Sequence, residues 1–161
     1  MTVLVACELP RGAAAARRLK AKGAEYLEAL GRAEAELSIL VTGDVGIRRL
    51  NRRWRGKDRA TDVLSFPLSD PPGVGPLLGD VVISIDTAAR RGKDARAAGR
   101  ELDRYLAHGI LHLLGFDHER KGDAKVMAAH EEALVRAEGL VGAAMKREGR
   151  ASKAARQRKK G

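Results

Sequence analysis

Three of the chain's four histidines fall within eleven residues, His108-Gly109-Ile110-Leu111-His112-Leu113-Leu114-Gly115-Phe116-Asp117-His118, and their spacing dictates the local backbone. Residues four apart stand one turn above each other on a helix, so His108 and His112 can converge on one point. His118 would lie roughly 15 Å from His108 along a continuous helix. Zn–N bonds are only about 2.0–2.1 Å, so a straight helix cannot bring all three imidazoles to one ion. The helix therefore has to end between His112 and His118. Gly115 is suited to ending it, because glycine takes the left-handed conformation beyond a helix C-terminus without a Cβ penalty.

The expectation is one Zn2+ per chain, held by His108, His112 and His118. Three imidazoles without thiolates suit zinc, and nickel, copper or iron are also compatible with this ligand type. Three protein ligands leave the fourth position open, which marks a catalytic site and not a closed structural one. His130, the fourth histidine, lacks such neighbours in sequence and is read as a surface or packing residue. The same histidine spacing occurs in metzincin proteases, HExxHxxGxxH. Gly109 stands where such a protease carries its general-base glutamate, which weighs against peptide hydrolysis by that route.

With 161 residues, 44% of them hydrophobic, the chain can bury one core, and one domain is the simplest reading. Strands are expected at residues 3–7, 36–41, 62–66 and 80–85, and helices at 11–32, 44–54, 86–92, 95–114 and 123–138. Asp44 and Asp86 are expected to cap the helices that follow them. The stretch 69–79, with three prolines and three glycines, reads as a surface loop. The fold class is α+β, with residues 1–145 forming a single domain. A four-stranded, mostly mixed sheet packs there with about five helices around a metal-site cleft, and 146–161 form a basic, disordered tail. The short apolar start, residues 3–7, reads as a strand and not a signal peptide. One cysteine, Cys7, allows no internal disulfide and offers no thiolate cluster. A cytoplasmic location without a membrane partner is the matching expectation.

The net charge of +10 is unevenly spread. Residues 146–161 contribute +7 and residues 48–59 contribute +6, which leaves −3 for everything else. The internal cluster comprises Arg48, Arg49, Arg52, Arg53, Arg55, Lys57 and Arg59 against Asp58. Clustering of this kind is the electrostatic footprint of a polyanion binder, although a solvated helix face and tail would have the same composition. Aromatics make up only 3% of the chain, with Trp54 alone inside the cluster, so contact with phosphate and shape is expected to outweigh base stacking.

At this point the residues resemble a known family. His108-Gly-x-Leu-His112-Leu-x-Gly115-x-Asp117-His118 is similar to the signature of the YbeY family of bacterial endoribonucleases, which act as rRNA maturation factors. The segment from Asn51 through Arg55, Thr61, Asp62, Ser65 and Phe66 to Pro67 resembles a second family motif. Leu78-Gly79-Asp80-Val-Val-Ile-Ser resembles a third. Ala60 departs from the proline usual in the family, and the basic tail is outside the pattern. The resemblance implies a zinc site made by His108, His112 and His118, facing a cleft that contains Arg55. It also implies cleavage of single-stranded RNA, with roles in 16S rRNA 3′-end maturation and quality control on the small ribosomal subunit.

In this reading Arg55 binds the scissile phosphate and neutralises transition-state charge. The nucleophile is either a metal-bound water or the RNA's own 2′-OH. Arg52, Arg53, Lys57 and Arg59 are candidates to hold the RNA backbone. Asp117 and Glu101 are candidate carboxylate partners of the metal-ligating histidines, with a turn cap and a surface ion pair as their respective plainer roles. Asp62 and Asp80 open strands. A metalloprotease and a non-catalytic ribosome-assembly factor with structural zinc remain the other classes.

Overall fold

Apolar residues on alternating positions give the sheet two buried faces. Four strands, β1 (Thr2–Cys7), β2 (Glu36–Thr42), β3 (Val63–Pro67) and β4 (Leu77–Ser84), lie in the order β1-β2-β4-β3. The computed structural model describes residues 2–117, 119 and 121–136; His118 and the basic segment 146–161 lie outside the described residues. β1, β2 and β4 are mutually parallel, while β3 runs antiparallel to β4 at the edge. Among the described residues five α-helices accompany them: α1 (Ala13–Ala29), α2 (Asp44–Arg55), α3 (Ile85–Arg91), α4 (Ala95–Leu113) and α5 (Lys121–Arg136). A mixed four-stranded sheet with five helices is the α+β architecture expected. No described helix is long and apolar enough to cross a membrane.

One sheet face carries Val3, Leu37, Ile39, Val41, Val81 and Ile83. It packs with Leu19 and Leu27 of α1 and with Leu106, Ile110 and Leu113 of α4. Their spacing along each helix makes the inward stripe. Each such side chain, once buried, contributes about 1.5–3 kcal/mol, so α4, which supplies many of them, is held firmly where its histidines are needed. Arg18 of α1 adds a two-pronged contact to Asp103 of α4 at 2.8 and 2.7 Å. The opposite face is covered by α2, whose Ile47 packs on Leu64 and Val82.

Several boundaries differ from expectation for identifiable reasons. β4 begins at Leu77, not Asp80, because Leu77 and Gly79 already pair with Glu36 and Leu37 of β2, which the loop-like composition of 69–79 conceals. Residues 10–12 form a 3₁₀ turn before α1. The two expected caps are reassigned. α2 is preceded by Gly43, and Asp44 is its first residue. The Asp44 carboxylate instead accepts from Ser84 Oγ at 3.0 Å and Thr87 Oγ1 at 3.1 Å and pairs with Arg90. Ser84 caps α3. Asp86 accepts the Asp44 backbone N–H at 2.8 Å, so it satisfies an orphan amide of α2 and not of its own helix.

This exchange has a pH signature. The Arg90 hydrogen bond holds the Asp44 carboxyl below its ordinary range, and Arg11 does the same for Asp86. A carboxyl depressed in the folded state contributes stability above its unfolded value of about 3.9, and that contribution is lost as pH falls through the lower folded value. The double variant Asp44→Asn, Asp86→Asn is expected to be less stable than wild type at pH 7. Its stability should also fall less steeply below about pH 4. Urea unfolding at both pH values checks this, and parallel acid profiles for the two proteins would refute it.

Candidate active site

The end of α4 is built as the histidine spacing demands. Gly115 adopts φ +96°, its N–H donates to His112 O at 3.0 Å, and the Phe116 N–H donates to Leu111 O at 3.0 Å. This reciprocal pair is the Schellman closure of a helix C-terminus. One turn apart on the helix, the imidazoles of His108 and His112 meet edge to face with their Nε2 atoms 3.1 Å apart. Two nitrogens bound tetrahedrally to one zinc at about 2.0–2.1 Å would stand about 3.3 Å apart, so the pair fits a shared cation. His108 Nδ1 lies 2.9 Å from Glu131 Oε2 of α5. A carboxylate oxygen accepts, so in the neutral ring the proton sits on Nδ1 and Nε2 keeps its lone pair on the side where His112 Nε2 stands. Among the described residues no group of three potential ligands is assembled; the expected third ligand, His118, lies outside them.

Gly109 explains itself in packing terms. A Cβ there would come 2.7 Å from Val81 Cγ1 and 3.3 Å from Ser65 Oγ, so this position faces the sheet and brings the helix backbone down onto it. Ser65 Oγ donates to Gly109 O at 3.2 Å. The carbonyl of the same Ser65 accepts from Arg55 Nη2 at 2.6 Å, and the Arg55 guanidinium lies 5.5 Å from the centre of the Phe66 ring. Arg55 is the last residue of α2, which Gly56 terminates in the left-handed region at φ +68°.

These elements enclose a cleft of about 490 Å³ lined by Arg55, Lys57, Arg59, Asp62, His108 and His112, among others. The structure thus brings Arg55 and the two described histidines of the expected site to one space. Lys57 and Arg59 join them, whereas Arg52 and Arg53 are exposed on α2 and do not line the cleft. The Arg53 guanidinium lies over Trp54 at 5.1 Å. Arg48 is engaged by Asp58 at 2.9 Å, which fastens the basic loop to α2.

The candidate carboxylates sort differently from the expectation. Glu131, not Glu101, meets His108; Glu101 instead acts on Tyr105. Burial, the leading cause, pushes the Tyr105 phenol up to about 12. Asp117 is exposed and its Oδ1 accepts the Glu119 N–H at 3.1 Å, so it serves the turn. Asp62 lines the cleft and is held by Arg91 at 2.7 Å, and Asp80 lies inside β4, paired with Phe66 of β3, and does not open the strand. His130 stacks edge to face on Phe116 at 4.9 Å, a packing role as expected. Asn51 is a residue whose role the sequence reading missed. It is buried on α2, donates from Nδ2 to Arg59 O at 2.9 Å and so sets the course of the basic loop. A polar residue on the inward face of an amphipathic helix is the signal that would have found it.

The sequence profile described as Endoribonuclease YbeY matches residues 13–139. A relative of that name from Anaeromyxobacter sp. (strain Fw109-5) is 69% identical over 156 residues, covering 96% of this chain and 81% of the relative. Another, from Geobacter metallireducens, is 42% identical over 150 residues, covering 88% of this chain and 100% of the relative. A solution structure of a Thermotoga maritima protein superposes with a TM-score of 0.60 at 26% identity, over 83% of this chain and 87% of that one. With a family profile spanning most of its length and relatives this similar, the chain belongs to the Endoribonuclease YbeY family.

Proposed function

We propose that this chain is a zinc-dependent endoribonuclease that cleaves single-stranded RNA, acting on ribosomal RNA at the 3′ end of 16S rRNA and on the small ribosomal subunit. The observation that carries the reading is the meeting of Arg55 with the His108–His112 pair in one cleft rimmed by Lys57 and Arg59. Family membership supports the endoribonuclease class, and the relatives bear that name.

His108, His112 and His118 are the residues that would hold zinc, which supplies Lewis acidity toward the scissile phosphate. Arg55 contributes what its position allows. Its Nη2 is committed to the Ser65 carbonyl, which aims the planar fork, and its remaining N–H groups are available to a non-bridging phosphate oxygen. Lys57 and Arg59 neutralise the flanking phosphates, an interaction that weakens as salt rises. Gly109 rules out the protease-type glutamate at that position, and RNA brings its own 2′-OH, so a missing protein base there does not disable phosphodiester cleavage.

The test is metal analysis followed by incubation of single-stranded rRNA fragments with the purified protein. Cleavage is expected to stop with a chelator and to return with added zinc. His112→Ala is expected to lose metal and to cut about three orders of magnitude more slowly, since a catalytic metal supplies several kcal/mol and each 1.36 kcal/mol is tenfold. RNA binding that persists with no cleavage under any metal condition would favour a non-catalytic assembly factor and overturn the reading.

A further inference from the structure

Helix α5 turns one face toward the core, and Met127, Glu131 and Leu134 share it at i, i+4 and i+7. Met127 and Leu134 are 2% and 7% exposed, and the Glu131 side chain between them keeps only 16% of its surface. A carboxylate on the buried stripe of a helix is costly to desolvate unless it meets a donor. The donor is His108 Nδ1 at 2.9 Å. The other carboxylate oxygen faces Arg104, one turn before His108 on α4, at 3.9 Å. The acid is thus held from both sides by residues of the histidine helix.

We propose that Glu131 is a positioning residue for the metal centre: by accepting the Nδ1 proton of His108 it fixes that ring's tautomer and orientation, and so sets the affinity of the site for zinc. The inference rests on the zinc reading given above. Glu131 never touches the ion. It selects the Nδ1-protonated tautomer of the neutral ring, with Nε2 aimed at the point where Nε2 of His112 arrives. Carboxylate–imidazole–metal arrangements of this kind recur, and losing the carboxylate weakens metal binding by about 10–100-fold. The competing role is purely mechanical, a polar latch that docks α5 on α4. In that case the site would bind zinc equally well without the carboxylate once the protein had folded.

Zinc dissociation constants measured on the full chain by competition with a chromophoric chelator separate the two. Glu131→Ala is expected to bind zinc about 10–100-fold more weakly than wild type. Glu131→Gln, whose amide oxygen still accepts from Nδ1, should fall between the two. Glu132→Ala, changed at the exposed neighbour that pairs with Arg136, should match wild type. The visible spectrum of the Co2+-substituted protein should shift in Glu131→Ala and not in Glu132→Ala. Wild-type zinc affinity and an unshifted Co2+ spectrum in every folded Glu131 variant would overturn the proposal, even if apo stability had dropped. If wild type and His112→Ala bound zinc equally poorly, the zinc reading itself would fall, an outcome distinct from a normal wild type with indifferent Glu131 variants.

Discussion

Arg55→Ala is expected to slow cleavage of single-stranded RNA by about 10²–10³-fold, the usual cost of removing one preorganised donor to developing charge. The protein should otherwise be little changed. Arg55 ends α2 just before the left-handed Gly56, and its side chain is exposed apart from the bond to Ser65 O and the contact with Phe66. Zinc content and unfolding midpoint should therefore stay near wild type. Arg55→Lys is expected to recover only part of the rate, because an ammonium cannot hold Ser65 and a phosphate oxygen in one rigid plane. Single-turnover kinetics alongside metal analysis reads both quantities. A variant with normal zinc, normal fold and undiminished cleavage would remove Arg55 from the proposed chemistry.

The second large effect concerns the residue that separates this site from a protease. Gly109→Glu restores the letter of the HExxH motif, yet it is expected to create no peptidase and to cost the fold dearly. The new Cβ would lie 2.7 Å from Val81 Cγ1, a stiff β-branched side chain in the middle of β4. Overpacking of this kind costs about 1–3 kcal/mol even for Gly109→Ala. A glutamate adds the desolvation of a carboxylate driven toward the sheet, several kcal/mol more. Urea unfolding should place Gly109→Ala between wild type and Gly109→Glu, and a fluorogenic peptide assay should stay silent for all three. A stable, peptide-cleaving Gly109→Glu would show that position 109 faces the cleft after all.

What could be read from the sequence was what is local to one helix. The convergence of His108 and His112 follows from a separation of four, and the Gly115 ending follows from the need to bend before His118. The strand at 36–41 and the helix at 95–114 were legible because their patterns are likewise local in sequence. The features that escaped depend on a partner distant in sequence. Asp86 reads as the cap of its own helix, but the amide it satisfies belongs to Asp44, 42 residues earlier. Glu101 lies on the histidine helix and Glu131 does not, yet Glu131 reaches His108 because α5 folds back beside α4. Gly109 is legible as an absence of glutamate; its positive reason, the close approach of α4 to Val81 and Ser65, needs the sheet. The start of β4 was hidden because proline and glycine dominate the loop before it, while the pairing of Leu77 with Glu36 is decided by the neighbouring strand.

Ser65 works as a mechanical part of the cleft. Its hydroxyl is tied to the backbone of the histidine helix and its carbonyl to the arginine that ends α2, so one residue of an edge strand acts as a strut between opposite walls of the cleft. The span from guanidinium to imidazoles is thereby a property of the frame and not of the occupant. In the proposed reaction a phosphate would therefore meet the guanidinium and the histidine helix at a spacing that β3 sets.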